Sequence, residues 1–284
     1  MKTYIHFINR LFSLCFALGL TLCSCNAPKR KELTPLKDLK NDIIVLNEGG
    51  FEHNNAEISI YNQDSGTVVN EVFRQRNHKS MGDVLQSVAW HDHKFYWIMN
   101  NSQKILITDS NYVHINTITG MRSPRYMYFV DQNKAYVSDL FGHQIAVVDL
   151  QTLQVLRSIP CKGWTEKFIK EDHSTDVWVS NRYTDKIYKI NTATDVITDS
   201  ITTVYAPCDL VYDKHGRLWV SCSGKSEDNI PGALLCIDLK SKQVLKKLEA
   251  PAGHNFGDGR LCVDASKSYL LWIDGGIKRV HIDA

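Results

Sequence analysis

From Asp42 onward the chain is built of short segments in which apolar and polar residues alternate, each closed by glycine, asparagine, aspartate or serine. DIIVLN, ISIYN, RYMYFV, KAYVSD and QIAVVDL are examples, rich in β-branched and aromatic residues. A period of two over five to seven residues predicts strands with a buried face, and helical periodicity is nearly absent. The segments also recur. ISIYN, ILITD, IAVVD, IYKIN, LLCID and RVHID end at Asn62, Asp109, Asp149, Asn191, Asp238 and Asp283, at intervals of 40 to 47 residues. A second marker keeps nearly the same spacing, because an aromatic sits near the end of each second strand at Trp97, Tyr136, Trp178, Trp219 and Trp272. Two markers sharing one period of this length predict an all-β propeller of four-stranded blades.

The ends of the repeat series are irregular. DIIVLN aligns with second strands, so the first repeat lacks its innermost strand, and the last repeat reaches Ala284 after its third. The strands amount to about five and a half blades. They fit either a six-bladed ring with imperfect closure or a propeller incomplete at its C-terminus relative to a seven-bladed relative, and the second reading is adopted as the expectation.

In such a propeller the loops from second to third strand, and from fourth strand to the next blade, share one face. Loops assigned to the other face are ordinary polar turns, such as HDHK at His91 and DQNK at Asp131. The first set is richer: GGFEHNN (residues 49–55), NNSQ (100–103), DLFGH (139–143), NRYTD (181–185) and SGKSEDNIPG (223–232). The connections between blades add Arg122, Arg125, Trp164, Tyr205, His254 and Phe256. Aromatics, amides and arginines converging on a concave face suit a sizeable ligand with both apolar and polar parts. The candidate ligand-binding residues are Phe51, His53, Asn54, Asn55, Asn100, Arg125, Phe141, Trp164, Arg182, Tyr183, Tyr205 and Phe256. Asn47, Asn100, Asp139 and Asn181 hold matching places in successive repeats; they either ring the channel mouth or brace neighbouring backbone.

Composition changes this picture little. The 284 residues are 43% hydrophobic and 23% charged, with a net charge of +2, a globular balance without the basic bias expected of a nucleic-acid binder. The N-terminus adds more: MKTYIHFINR precedes LFSLCFALGLTLCSC, a basic start and a short apolar run that reads as a secretory signal over residues 1–24. Leu22-Cys23-Ser24-Cys25 resembles a bacterial lipobox, which makes Cys25 the lipidation site and the membrane a partner through a lipid anchor. Residues 25–41 read as a tether and 42–284 as the propeller domain. Lys29, Arg30 and Lys31 follow where many surface-exported lipoproteins carry acids, so the leaflet stays open.

Catalytic motifs are sparse. CxxC, GxSxG, P-loop and HExxH patterns are all missing, and His91-x-His93 is a weak metal pair. Glu48, Asn100, Asn181 and Asp258 imitate the channel-metal set of propeller lactonases, which keeps a hydrolase as an alternative; otherwise no catalytic residue, metal or cofactor is expected. Cys208 and Cys222 are equidistant from the turn at His215, a position from which a cross-strand disulfide is conceivable, while Cys161, Cys236 and Cys262 read as buried small apolar residues.

The run VLNEGGFEHNNAEISIYNQDSGTVVNEVF with MGDVLQS, supported by SPRYMYF, VSDLFGHQIAVVDL and NRYTDKIYKIN, resembles the BtuG-like propeller lipoproteins, relatives of the YVTN-repeat propellers. The resemblance covers residues 42–284. It implies a seven-bladed propeller, a lipid anchor in the cell envelope and outer membrane, and capture of cobalamin or a related corrinoid for an outer-membrane transporter. On that reading Phe51, Phe141, Trp164, Tyr183 and Phe256 pack on the macrocycle, while Asn54, Asn55, Arg125 and Arg182 bond its amides and phosphate. A protein-interaction platform on the same face is the alternative.

Overall fold

A computed structural model describes residues 42–171, 174–256 and 260–284, all within the unit Asp38–Ala284. The stretches expected to be a signal segment and a tether, the expected lipidation site Cys25 and Asp258 lie outside the described residues. Twenty-two strands form six antiparallel sheets among the described residues. Sheet 1 holds β1 (Asp42–Asn47), β2 (Glu57–Asn62) and β3 (Thr67–Val69), and a short helix α1 (Val72–Asn77) leads out of it. Sheet 2 runs β4 (Leu85–His91), β5 (Lys94–Met99), β6 (Lys104–Asp109), β7 (His114–Ile118); sheet 3 runs β8 (Pro124–Phe129), β9 (Lys134–Asp139), β10 (Gln144–Asp149), β11 (Gln154–Pro160). Sheet 4 comprises β12 (Thr165–Lys170), β13 (Val177–Asn181), β14 (Lys186–Asn191) and β15 (Val196–Thr202), and sheet 5 β16 (Pro207–Tyr212), β17 (Leu218–Cys222), β18 (Ala233–Asp238) and β19 (Gln243–Glu249). Sheet 6 has β20 (Cys262–Val263), β21 (Tyr269–Ile273) and β22 (Ile277–His281).

Each sheet is a simple meander, and the first strands β4, β8, β12, β16 and β20 contact one another in chain order. This is the propeller arrangement, with six sheets where seven blades were expected. The incomplete repeats fall where the sequence pattern put them, in the two three-stranded sheets. Their consequence is visible in burial: β5, β9, β13 and β17 are central strands and almost wholly buried, whereas β1 is an edge with Ile43 and Val45 nearly half exposed.

The core lies between neighbouring sheets. Tyr96, Ile98, Ile105 and Ile107 of sheet 2 pack on Met127, Ala135 and Val137 of sheet 3, and similar clusters join sheets 3 to 4, 4 to 5 and 5 to 6. The period aromatics Trp97, Tyr136, Trp178 and Trp219 are among the most buried side chains. Their polar edges are satisfied where partners exist: Trp97 Nε1 donates to Thr108 Oγ1 at 3.0 Å, Trp219 Nε1 to Asp213 at 2.9 Å, and the Tyr136 hydroxyl to Asp195. Asp195 also takes Lys134 and Arg157. Burial alone pushes its carboxyl up, but these bonds together hold it below the usual range.

The aspartates and asparagines that marked the repeat period are turn residues. Asp109, Asp149 and Asn191 each accept two backbone N–H bonds on Oδ1 from the turn that follows. The outer strands β7, β11, β15 and β19 each carry a register shift against their neighbour, at Ile115, Leu156, Thr198 and Leu245. Bulges twist an outer edge away from pairing with another molecule, which these edge strands need because each leaves one side of its backbone unpaired.

The inner strands carry a second series of bulges. Tyr126 N–H donates to Ser138 Oγ, Lys167 N–H to Ser180 Oγ and Asp209 N–H to Ser221 Oγ, each at 3.1 Å. In each of sheets 3, 4 and 5 one buried serine thus satisfies an amide that the ladder cannot reach. The same bulge decides the cysteine question. Beside the turn the pairs Tyr212 with Leu218 and Leu210 with Val220 keep the register that would set Cys208 against Cys222, but the bulge shifts it and Pro207 lies opposite Cys222. Cys208 Sγ instead approaches the Ala206 carbonyl and the Ser223 hydroxyl at 3.1 and 3.2 Å, and no disulfide forms. Cys161 and Cys236 are buried as expected; Cys262 is exposed, on the short strand β20.

Candidate functional site

Along the face of the second-to-third-strand loops, one brace recurs. Asp139 ends β9 and accepts the N–H groups of Phe141 and Gly142 on Oδ1 at 2.9 and 2.5 Å, and those of Arg122 and Ser123 on Oδ2 at 3.2 and 2.9 Å. Asn181 ends β13, accepts the Tyr183 N–H at 3.1 Å and donates to the Lys162 carbonyl at 2.9 Å. Asn100 is buried and donates to Ser123 Oγ and the Pro124 carbonyl, both at 3.0 Å. These side chains tie each loop to the connection entering the next sheet. Of the two roles open for them, the bracing one is what their contacts show. Asn100 therefore stands beneath the surface rather than on it.

The first long loop, residues 48–56, is closed in the same manner. Gly50 N–H donates to Asn55 Oδ1 at 2.9 Å, Glu52 N–H to Asp83 Oδ2 at 2.7 Å, and Ser80 Oγ to the Asn54 carbonyl at 2.7 Å. Gly49, at φ +83°, leaves no room for a β-carbon, which would meet Asn55 Oδ1 at 2.7 Å. Asn54 and Asn55 thus spend polar groups on loop geometry, His53 is exposed beside Gly50, and Phe51 projects from the loop with 65% of its surface exposed. Phe141 is 52% exposed at the matching turn of sheet 3.

A groove opens where the loops of sheets 4, 5 and 6 meet. It has a volume of about 1150 Å³, and Trp164, Arg182, Tyr183, Tyr205, Lys225 and His254 are among its walls. The loop 223–232 forms one side. Gly224 N–H donates to the Tyr205 carbonyl at 3.0 Å, Lys225 and Ile230 exchange backbone bonds at 2.8 and 3.0 Å, and Lys225 Nζ pairs with Asp228 at 2.6 Å. Lys225 Nζ also stands 5.6 Å from the Tyr205 ring centre. Four of the twelve predicted residues, Trp164, Arg182, Tyr183 and Tyr205, come together here. Phe51, His53, Asn54, Asn55 and Phe141 do not line it, and Phe256 is buried against Trp272, its ring centre 5.3 Å away.

The back wall continues toward the axis. Trp164 is flanked by two guanidinium groups, Arg182 at 4.5 Å and Arg125 at 5.1 Å from its ring centre, with Tyr183 6.2 Å away. Arg125, the twelfth predicted residue, is fixed by Glu166 at 2.8 Å and by Gln86. Glu166 is only 4% exposed at its side chain, and its burial raises the carboxyl's affinity for a proton against the pull of Arg125. Asp209, on the inner strand of the next sheet, is buried too and pushed up to about 6, mainly by desolvation; it accepts the Leu261 N–H at 2.7 Å. Lys167 Nζ lies 3.9 Å from the Tyr126 ring centre. Gln86, Arg125, Tyr126, Glu166, Lys167 and Asp209 all sit at the inner-strand bulges. Glu166, Asp209 and the serines beneath them were missed in the sequence; the VSD, VSN and VSC triplets ending β9, β13 and β17 were the available signal.

Elsewhere, His91 stacks on Phe129 at 4.2 Å between ring centres and His93 lies edge-on to Trp90 at 6.4 Å, so both rings have packing roles.

Comparison with known proteins agrees with the fold. No curated protein matches the chain. Among solved structures, a Bacteroides uniformis protein assigned as a 6-phosphogluconolactonase is similar with a TM-score of 0.62 at 10% identity, over 86% of this chain and 79% of that one. Hydrazine synthase of Kuenenia stuttgartiensis is similar with a TM-score of 0.55 at 16% identity over 64% of this chain, which spans only 52% of the hydrazine synthase chain. At such identities the likeness is one of fold. The family model for the domain of unknown function DUF5074 matches residues 41–278, nearly all of the repeat region, and the chain belongs to that family.

Proposed function

We propose that this propeller is a binding protein that captures a bulky solute in the groove of sheets 4 to 6, a corrinoid being the first candidate, for handover to an outer-membrane uptake system. The observation that carries the reading is the groove itself. Its volume exceeds the roughly 300–1,000 Å³ of ordinary small-ligand pockets, and it presents Trp164, Tyr183 and Tyr205 beside Arg182 and Lys225. Broad rings pack on the apolar surface of a macrocycle, and cationic groups at the rim donate to a phosphate or to amide oxygens. The lipobox at Cys25 would keep such a protein at the envelope, where a captured solute is passed on rather than transformed.

Tryptophan fluorescence tests this directly, because Trp164 is in the wall. Titration with cyanocobalamin and with cobinamide, corrected for their absorbance, is expected to give saturable quenching that Tyr183→Ala combined with Tyr205→Ala abolishes. Unquenched fluorescence from folded protein would remove the corrinoid.

A second reading is supported by Phe51 and Phe141, which are exposed on braced loops outside the groove. Rigid aromatic tips of this kind suit a protein-docking face. A hydrolase akin to propeller lactonases is weaker, since Asn100 and Asn181 use their amides as braces. Metal content of purified protein tests it.

A further inference from the structure

Several half-buried cations of this domain have a carboxylate: Arg125 has Glu166, Lys134 has Asp195, and Lys189 has Glu171 and Asp176. Lys104 differs. It opens β6, is partly buried, and its stem packs on Gly82, where an added β-carbon would come within 3.2 Å of Lys104 Cε. Lys79, in the loop after α1, brings its Nζ to 3.1 Å from His114 Nδ1, and His114 Nε2 lies 2.9 Å from Thr117 Oγ1. Among the described residues, none of the three basic groups has a carboxylate at ion-pair distance. Burial and the neighbouring Lys79 lower the proton affinity of Lys104, and the same two causes lower that of His114.

The loop that carries Lys79 packs its Gly82 on the Lys104 stem and Lys79 reaches His114, so three basic groups from three elements are brought to one region without an acid, and the partial burial of Lys104 and His114 weakens the solvent screening of their repulsion. The arrangement is what a multiply charged acceptor would satisfy. We infer that Lys79, Lys104 and His114 form a binding site for a phosphate-type oxyanion, free in solution or carried on a lipid headgroup. The ammonium groups supply several donors, and the imidazole, neutral when it accepts from Lys79, becomes a further donor on taking a proton. The site lies on sheet 2 and the loop entering it, away from the groove of sheets 4 to 6, and does not depend on the solute bound there.

The test uses the full chain with inorganic phosphate, titrated by calorimetry at constant ionic strength against chloride. Saturable binding with a dissociation constant on the order of 1 mM is expected, the strength of a few charge-assisted bonds offset by the cost of association. The His114 ring resonances should shift toward the protonated form as phosphate is added. Lys79→Gln with Lys104→Met should weaken binding about tenfold or more, and Lys79→Gln alone, at an exposed position, provides a variant whose folding is not at risk. Cosedimentation with phosphatidylglycerol vesicles, against phosphatidylcholine, separates the sources: binding lost in the same variants assigns a headgroup, and a response to inorganic phosphate alone assigns the free anion. Neither response, or responses equal in wild type and variants, would overturn the site.

Discussion

Arg125 donates to a single carboxylate oxygen of Glu166 from both Nη2 and Nε, at 2.8 and 3.1 Å, and the bond joins the inner strands of sheets 3 and 4. Both side chains are largely withdrawn from water, at 14% and 4% exposure, so neither charge is solvated well without the other. Removing one partner of a buried pair generally costs more than the pair contributes. Arg125→Met is therefore expected to destabilise the domain by about 3–5 kcal/mol, with Glu166→Gln in the same background recovering part of the loss. Chemical denaturation of the two single variants and the double variant measures this; equal losses in single and double variants would show that the pair is not the cause.

Asp209 gives the pH dependence a sign. Its folded-state affinity for a proton is raised, to about 6 from the usual 3.8, chiefly by burial. Protonation hence favours the folded state, and that contribution is fully present below about pH 4 and lost as pH rises through about 6. Replacing the carboxylate with an amide keeps an acceptor for the Leu261 N–H and removes the buried charge. Asp209→Asn should raise stability at pH 7.5 by up to about 3 kcal/mol and flatten its dependence between pH 4 and 6. Urea midpoints at pH 4.5, 6 and 7.5 test both parts, and an unchanged profile would mean that Asp209 does not titrate in this range.

The serine beneath the inner bulge of sheets 3, 4 and 5 supports a separate expectation. Ser180 Oγ accepts the Lys167 N–H at 3.1 Å and donates to the Cys208 carbonyl across to sheet 5. Ser180→Ala leaves two buried backbone groups without that partner. A loss of about 1–3 kcal/mol is expected, against a few tenths for the exposed Ser241→Ala. Hydrogen exchange should show the Lys167 amide losing protection first.

How far these features could be read in the sequence depends on their period. Alternation and the recurring Asp, Asn and aromatic positions revealed the sheets, because burial on one face and turn chemistry repeat with the chain. The incomplete first and last repeats were legible for the same reason. The blade number was taken from a family resemblance, and the six sheets correct it. Bulges were illegible: one extra residue between Pro207 and Leu210 changes which cysteine faces which neighbour without altering the hydrophobic pattern. Asn100 and Phe256 sat among plausible surface loops yet serve a buried brace and a core contact. Nothing local separates an asparagine that binds a ligand from one that binds a carbonyl 24 residues away. The groove was half legible, since the richness of the loops marked the face, but its position follows from the length of loop 223–232 and the loops it meets across sheets.

That loop allows the groove to be altered without touching a predicted ligand contact. Gly224 has φ +75°, and a β-carbon there would lie 2.3 Å from the Ile230 carbonyl oxygen and 2.6 Å from the Pro231 carbonyl carbon. An alanine meets both the left-handed backbone cost and a clash with backbone that cannot rotate away. The lost contacts are local, since Gly224 N–H bonds the Tyr205 carbonyl and the adjacent Lys225 closes the turn with Ile230. Gly224→Ala is expected to cost about 1–3 kcal/mol, to raise hydrogen exchange across residues 223–232, and to weaken corrinoid-induced quenching more than Phe141→Ser does. Phe141 lies outside the groove and exposes half its surface, so its replacement should leave both stability and quenching unchanged. Should Phe141→Ser abolish quenching while Gly224→Ala leaves it intact, the solute would have to be held on the loops of sheet 3, and the groove of sheets 4 to 6 would no longer be the binding site.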